Sequence, residues 1–329
     1  MSGDIFGLRL RPGSHLRVIA PSRSLQVVSD AICQASLTKL QSMGFEVSIG
    51  SRARKTGLFA TAPPEDRLQD LHEAFSDRGV DGVLSAVGGW RCNDLLSGID
   101  WKVIRNNPKV FCGYSDITVL LNAIWRQTSL VTYSGPHFSS FAMEDLDDYQ
   151  ARAFLDAVST HDVIDVRESP TWSDDVWYEQ GKKRSISPSN GWCRIRDGKA
   201  RGHLIGGNFS TFLLLQGTHY TPTLTGSVLL IEDIKTIQPA ALRRSLISLT
   251  MLPGFADLQG IIFGRFQRAS GLDSIAIHEL VDSLTGRYQE IPILSDFDAG
   301  HTQPIVTLPI GGVVELLVGD HCEVKLLSH

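Results

Sequence analysis

Short apolar runs alternate with stretches of helical periodicity from residue 15 to about residue 135. Brief apolar runs are typical of buried strands, and apolar residues that recur every three or four positions are typical of helices. Their alternation predicts a parallel sheet with crossover helices and with functional sites at the carboxyl ends of the strands. The predicted strands are 15–20, 45–49, 80–87 and 110–112, and the predicted helices are 29–43, 65–76 and 117–125.

The pattern changes after one more predicted helix at 147–158. Residues 165–201 are polar, rich in proline and glycine, and contain three tryptophans. This composition is typical of a linker or a long functional loop. A second α/β unit is predicted beyond it, with strands at 227–231, 260–263 and 313–318 and helices at 239–249 and 274–284.

Composition adds limits to this picture. The chain has 329 residues, 42% of them apolar, and a net charge of −5, which is typical of a globular enzyme and excludes strong attraction to nucleic acid or membranes. Its five cysteines are widely spaced and predict neither a disulfide framework nor a zinc site. The N-terminal residues do not resemble a signal peptide, so we expect a cytoplasmic protein.

The most informative motif is the sequence from Val110 to Asp116, which an apolar run of helical length follows at once. Ser115 is therefore expected on a sharp turn between a buried strand and a helix, the arrangement of a nucleophile elbow. The free N–H groups of the helix would point at an anion formed beside the hydroxyl. The motif predicts a hydrolase that works through an acyl-serine, although a serine after glycine is often only a turn residue.

Serine chemistry needs a base and a carboxylate that orients this base. His301 lies in a loop of turn residues after an apolar segment, and Glu232 ends the apolar run 227–231. Each residue alone has an ordinary alternative, a loop histidine bonded to the backbone and a strand-end charge in an ion pair. Ser85 and Ser134 are competing serines, and Pro136 interrupts the chain after Ser134.

Other chemistry has little support in the sequence. Gly88 and Gly89 follow a predicted strand, where their N–H groups could bind an oxyanion or simply form a tight turn. The chain contains neither a phosphate-binding loop nor a dinucleotide fingerprint, and its histidines lack metal-ligand spacing. Residues 202–208 are rich in glycine and are expected to form a loop that contacts ligand through its backbone.

Taken together, the motifs resemble the LD-carboxypeptidase and microcin C immunity peptidase family over nearly the whole chain. They are Ile19-Ala-Pro-Ser22, Gly88-Gly89, the segment 108–118 around Gly-Tyr-Ser-Asp, Gly206-Gly-Asn208, Ile231-Glu-Asp233 and Gly300-His301. The resemblance implies a triad of Ser115, His301 and Glu232, with the N–H groups of Gly89 and Asp116 as the oxyanion hole. It also implies a homodimer and no cofactor or metal.

The implied fold is α/β, with a Rossmann-like parallel-sheet N-terminal domain and a C-terminal α/β domain of barrel-like character. We expect the N-terminal domain, with the nucleophile, at 1–160. A polar linker and active-site loop follow at 161–200, and the C-terminal domain at 201–329 carries Glu232 and His301.

The family has two branches that act on different substrates. Enzymes that trim murein tetrapeptides usually carry arginine before the glycine pair, where this chain has Val87. The surrounding residues look more like immunity peptidases, which cleave the amide between an acidic aminoacyl group and a nucleotide-like sulfamate or phosphoramidate. We expect such a peptidyl- or aminoacyl-nucleotide-like substrate, and release of D-alanine from murein tetrapeptides is the alternative. The substrate-binding candidates are Trp90, Asn93, Trp172, Trp177, Trp192 and Asn208.

A basic segment bears on the same choice. Residues 181–201 hold seven basic side chains and one acid, Asp197, and tryptophans lie in or beside it. Aromatic faces stack on bases and guanidinium groups bind phosphate. The segment is either a cover for the active site or a solvated surface loop. The basic residues are Lys182, Lys183, Arg184, Arg194, Arg196, Lys199 and Arg201.

Two other functions fit parts of the sequence. An α/β-hydrolase esterase would have the same order of serine, acid and histidine, but Ile117 stands where its elbow motif requires glycine. A two-domain ligand-binding protein without chemistry is the second, and labelling of Ser115 by a fluorophosphonate would exclude it.

Overall fold

The computed structural model describes residues 3–178, 183–284 and 290–329. Helices in this part of the chain are α1 (Asp30–Ser42), α2 (Pro64–Ser76), α3 (Trp101–Asn106), α4 (Thr118–Thr128), α5 (Asp147–Ser159), α6 (Phe209–Phe212), α7 (Pro239–Thr250) and α8 (Ser274–Asp282). None of the helices in these ranges is long and apolar enough to cross a membrane.

The strands of the same residues alternate with the helices along most of the chain. They are β1 (His15–Ile19), β2 (Glu46–Ile49), β3 (Gly82–Ser85), β4 (Val110–Gly113), β5 (Thr132–Ser134), β6 (Ile164–Asp165), β7 (Thr171–Trp172), β8 (Ser187–Pro188), β9 (Cys193–Arg196), β10 (Gly198–Asn208), β11 (Ser227–Glu232), β12 (Gly260–Gly264), β13 (Ile293–Phe297), β14 (Leu308–Ile310), β15 (Val313–Val318) and β16 (Glu323–Ser328).

The first sheet has the strand order β14-β5-β4-β3-β1-β2. The strands β1 to β5 pair in parallel, which confirms the predicted parallel sheet with crossover helices. Strand β14 pairs antiparallel with β5 at the edge. Strand β14, which comes from the predicted C-terminal region 201–329, thus belongs to the first sheet.

The second sheet has the order β6-β16-β15-β10-β11-β12-β13-β9, with β10 to β13 parallel and the outer strands antiparallel. Its edge strands β6 and β9 do not pair with each other in the described part of the chain. The fold is thus mixed α/β with parallel strands in both sheets, as predicted, and the second sheet is open rather than closed into a barrel.

Residues 165–201 contain more regular structure than a linker. They form the hairpin of β7 and β8, the edge strand β9 and the start of β10. Strand β9 has no fully buried residue, and Ile195 is partly buried against an apolar cluster, so its alternation of arginine with apolar residues resembles the composition of a loop. The predicted glycine-rich contact loop at 202–208 is also wrong, because these residues are the C-terminal part of β10 and residues 203–208 pair with β11.

Helix α4 lies between the two sheets and joins them. Its residues from Thr118 to Ile124 are all buried. The side chain of Asn122 donates to the carbonyl oxygen of Gly206 and accepts from the Gly206 N–H, at 2.9 and 3.0 Å. This pair of bonds fixes the helix that follows the predicted elbow against the strand β10, which neighbours the strand that ends at Glu232.

Candidate active site

Ser115 lies at the turn between β4 and α4 that the sequence predicts. A single 3₁₀ turn, Ser115–Ile117, connects the strand to the helix. The backbone of Ser115 has a φ of +61°, a left-handed conformation that costs a residue other than glycine roughly 1–2 kcal/mol. Such strain is typical of nucleophile elbows, in which the turn projects the hydroxyl away from the backbone.

His301 and Glu232 lie next to this hydroxyl although they are distant in the sequence. The Ser115 hydroxyl is 3.1 Å from His301 Nε2, and His301 Nδ1 is 2.8 Å from Glu232 Oε2. Because a carboxylate only accepts, Nδ1 carries the proton and Nε2 is free to accept from the serine. The three residues therefore form the chain of hydrogen bonds that a nucleophile, a base and an orienting carboxylate require.

Glu232 is placed by the end of β11 and by glycines around it. Its side chain is 4% exposed, and that of His301 is 18% exposed. A Cβ added at Gly300 would lie 2.7 Å from Glu232 Oε2, and Gly300 has a φ of +110°. A larger residue before His301 would displace the carboxylate, so glycine is needed there for both space and conformation.

The surroundings of His301 set its protonation. Desolvation lowers its pKa, but the negative charge of Glu232 and the hydrogen bond to it raise the pKa by more, and Asp233 adds to this. The net result is a pKa above the ordinary value of 6.5. The imidazole is therefore a stronger base than a free histidine, and its protonated form is stabilised when it takes a proton from Ser115.

The loop that follows β3 approaches the nucleophile closely. A Cβ added at Gly88 would lie 3.1 Å from Ser115 Oγ, so a larger residue there would crowd the nucleophile. The N–H group of Gly89 has no acceptor among the described residues, and the Asp116 N–H lies at the start of a helical turn, where such groups lack partners. Both groups that the sequence predicts as oxyanion donors are thus available to a ligand.

The side chain of Asp116 has a second function that sequence reasoning missed. It is buried and accepts from the Ser22 hydroxyl at 2.5 Å and from the N–H groups of Arg91 and Cys92 at 2.8 and 2.9 Å. The carboxylate therefore fixes the loop of Gly88 and Gly89 relative to the elbow. The run Gly-Tyr-Ser-Asp carried this signal, since a buried carboxylate needs several donors.

His137 is a further residue that the sequence did not indicate. It is buried, its Nδ1 is 2.7 Å from Ser85 Oγ, and its ring stacks on Tyr114 at 4.3 Å between centroids. Burial, with the charges of His301 and Arg23, lowers the pKa of His137 to about 3. The ring stays neutral at physiological pH, so His301 is the histidine beside Ser115 that can act as the base.

The predicted substrate-binding residues have different surroundings. Trp90 is 66% exposed beside Gly89, and Asn93 is also exposed. Trp177 is half-buried against Tyr178, and one face of Trp172 is covered by the guanidinium of Arg268 at 4.0 Å. Trp90 therefore has the most accessible aromatic face close to the candidate oxyanion donors.

Trp192 and Asn208 are buried and have partners within the protein. Trp192 is 8% exposed, packs on Phe297 and donates from Nε1 to Asp298 at 3.0 Å, so its ring is unavailable for stacking on a substrate. Asn208 is buried, caps α6 through the N–H of Thr211 and donates to Asp233. Their polar groups already have partners, which composition alone does not reveal.

The described part of the basic segment, residues 183–201, contains β8, β9 and the start of β10. Arg194 pairs with Asp320, and Lys199 pairs with Glu315, far along the chain from Ser115. Lys182 lies outside the described residues. Arg184 alone of the described basic residues of this segment is shown bonded to the loop of His301, through Gln303 Oε1 at 3.3 Å, and burial lowers the pKa of its guanidinium.

Two models of known protein families match the chain. Residues 16–135 match the N-terminal domain of LD-carboxypeptidase, and residues 201–316 match its C-terminal domain. The microcin C7 self-immunity protein MccF of Escherichia coli is 30% identical over 83% of this chain and 81% of its own length. A murein tetrapeptide carboxypeptidase of Pseudomonas aeruginosa is 27% identical over 86% of this chain and 87% of its own.

Solved structures agree with these matches. An MccF-like protein from Bacillus anthracis is 40% identical, with a TM-score of 0.96 over 99% of this chain and all of that chain. The structure of MccF in complex with glutamyl sulfamoyl guanosine is 26% identical, with a TM-score of 0.90 over 98% of each chain. Another MccF structure, with the same TM-score, contains aspartyl sulfamoyl adenosine.

Proposed function

This chain belongs to the LD-carboxypeptidase family and is a peptidase, and we propose that it cleaves an amide bond through an acyl-serine intermediate on Ser115. The observation that carries the proposal is the continuous set of hydrogen bonds from Ser115 through His301 to Glu232. A serine, a histidine and a buried carboxylate in this order activate the hydroxyl for attack on a carbonyl.

In the first half of the reaction, His301 takes the proton of Ser115 while Oγ attacks the carbonyl carbon. Glu232 holds the ring and stabilises its charged form. The N–H groups of Gly89 and Asp116 bind the tetrahedral oxyanion, and one such donor is worth roughly 3 kcal/mol of barrier. The strained elbow and the carboxylate of Asp116 support this role, since they fix both N–H groups before substrate binds.

In the second half, the carbon–nitrogen bond breaks and His301 gives its proton to the departing amine. Water then enters, His301 takes one of its protons, and hydroxide attacks the acyl carbon. The bond to Oγ breaks, Ser115 recovers its proton from His301, and a carboxylate product leaves. No step in this scheme needs a cofactor or a metal.

The substrate we propose is a peptidyl- or aminoacyl-nucleotide-like amide. Support comes from the relatives named MccF and from their complexes with aminoacyl sulfamoyl nucleosides. Val87, which precedes the glycine pair, is half-buried and packs on an apolar cluster, so this position offers no charge to a murein peptide. The exposed ring of Trp90 is available for a base to stack on.

The decisive experiment offers the purified protein a murein tetrapeptide and aspartyl sulfamoyl adenosine in separate reactions. We expect release of aspartate and the sulfamoyl nucleoside, detected by chromatography, and no turnover by the Ser115→Ala variant. Release of D-alanine alone would overturn the preferred substrate and favour the murein reaction. Unchanged hydrolysis in the Ser115→Ala variant would overturn the mechanism.

The proposal has two further points, which are the cellular compartment and the oligomeric state of the protein. We propose that the protein is cytoplasmic and that it forms a homodimer, and the resemblance to the family implies the homodimer. Sedimentation of the purified protein tests the second point, since a monomer of 36.1 kDa and its dimer separate clearly.

A further inference from the structure

Arg23 has an unusual position beside the candidate active site. It is half-buried, its Nε donates to the carbonyl oxygen of Gly88 at 3.2 Å, and its side chain packs against Gly89. A Cβ added at Gly88 would lie only 3.1 Å from Ser115 Oγ, so this loop runs close to the nucleophile. The guanidinium is thus held at the loop that carries a proposed oxyanion donor, by a bond that uses only one of its three nitrogens.

The charge of Arg23 has no counter-charge among the residues that the structure describes. Within the described ranges, no carboxylate oxygen lies within 4.0 Å of its nitrogens, and Gly88 is its only hydrogen-bond partner. Neighbouring arginines differ in this respect, because Arg91 and Arg67 both pair with Asp94. A half-buried guanidinium with two free forked nitrogens is typical of a group that binds an oxyanion in two-point geometry.

We propose that Arg23 binds the anionic group carried by the leaving amine of the substrate. This inference rests on the proposed function, which places the scissile carbonyl at Ser115. Both substrate classes carry such an anion close to the scissile nitrogen. It is the sulfamate or phosphoramidate of an aminoacyl nucleotide, or the carboxylate of a terminal D-alanine. An acidic acyl side chain, by contrast, belongs to only one of the two classes.

Substrates that differ only in this charge test the proposal. The first pair is aspartyl sulfamoyl adenosine and the aspartyl amide of 5′-amino-5′-deoxyadenosine, which keeps the acyl group and the nucleoside but lacks the sulfamoyl anion. The second pair is a murein tetrapeptide and its C-terminal carboxamide, so the two pairs also distinguish the source of the anion. The enzyme variants are Arg23→Gln, Arg23→Lys and, as a matched control, Arg54→Gln, which removes an exposed arginine paired with Asp30 on a neighbouring loop.

For the pair that the enzyme cleaves, we expect Arg23→Gln to lower kcat/KM on the anionic substrate by about 10- to 100-fold. Its effect on the neutral partner should stay within about threefold, Arg23→Lys should retain part of the activity, and Arg54→Gln should match the parent enzyme. Equal losses on the anionic and neutral substrates would overturn the proposal, because they would show a general effect on the loop.

A binding measurement separates this inference from the proposed function. Labelling of Ser115 by a fluorophosphonate should proceed at similar rates in the parent enzyme and in Arg23→Gln. D-alanine or inorganic phosphate at millimolar concentration should slow the labelling of the parent enzyme but not of Arg23→Gln. If this difference occurs without any amide hydrolysis, the proposed function fails and the anion site remains. If hydrolysis occurs without the difference, the anion site is overturned.

Discussion

The two sides of the candidate active site differ in how far the protein itself satisfies their polar groups. On the catalytic side, both nitrogens of His301 have partners and Glu232 is almost fully buried. On the recognition side, Arg23 has no counter-charge in the described residues and Trp90 is 66% exposed. The residues proposed to carry the reaction therefore have their partners within the protein. The residues proposed to set substrate specificity lie on loops and have groups that are left for a substrate to contact.

The largest effect in this comparison is expected from Glu232→Gln on the catalytic side. The amide cannot stabilise the imidazolium and can hold the wrong tautomer, so kcat should fall roughly 10²- to 10⁴-fold. His301 must be neutral to act as the base, and its raised pKa places the acid limb of kcat/KM above pH 6.5 in the parent enzyme. Without the Glu232 charge, desolvation dominates and the limb should move to lower pH, measured from rates between pH 5 and 9.

An acid limb that stays in place in Glu232→Gln would contradict this account. It would mean that the limb reports a group other than His301. Circular dichroism of the variant provides the control for folding.

A smaller effect is expected from Asp116→Asn, because the Asp116 side chain connects the elbow of Ser115 to the loop of Gly88 and Gly89. Replacement by Asn removes the charge that accepts from Ser22 and from two backbone N–H groups. The loop of Gly89 should become less well positioned, and kcat should fall about 10- to 100-fold with KM little changed. Asp94→Asn is the matched control on the same loop, and its kcat should stay within about threefold. Equal losses in both variants would exclude a specific positioning role for Asp116.

The smallest effects are expected from substitutions of two tryptophans, Trp90 and Trp192. Trp90→Ala should raise KM about 3- to 30-fold for a nucleotide-like substrate and leave the melting temperature unchanged, since the ring is exposed and stacking contributes about 1–2 kcal/mol. Trp192→Phe should leave KM within about twofold and lower the free energy of unfolding by about 1–3 kcal/mol, because Asp298 loses a buried donor. Kinetics and urea unfolding of both variants test this. The opposite pattern would assign Trp192 to the substrate.

The positions of the candidate nucleophile Ser115 and the candidate carboxylate Glu232 in the fold could be predicted from the sequence because each lies at the end of an apolar run. Ser115 follows β4 and Glu232 ends β11, and these positions are visible in the local pattern. The position of Arg23 at the site and the partners of the Asp116 side chain could not be read in this way. Arg23 lies in a loop without periodicity, and the partners of Asp116 come from segments up to 94 residues away.

The polar segment 165–201 is a second case in which the sequence alone was not enough to predict the structure. Its composition left open whether it covers the active site or forms a solvated surface loop, but β9 is an edge strand and Trp192 is buried against Phe297. Charged residues on the exposed face of an edge strand look like a loop in sequence, because only half of the positions are apolar. Whether such a segment forms a strand or a loop depends on contacts with distant residues, which local composition does not show.

The central claim is that Ser115, activated by His301, attacks the scissile carbonyl, and fluorophosphonate labelling tests it most directly. Peptide mass spectrometry should find one adduct, on Ser115, in the parent enzyme. The adduct should be absent in Ser115→Ala and form on the order of 10³-fold more slowly in His301→Gln. An adduct on another serine, or labelling of Ser115 at the parent rate in His301→Gln, would contradict the account.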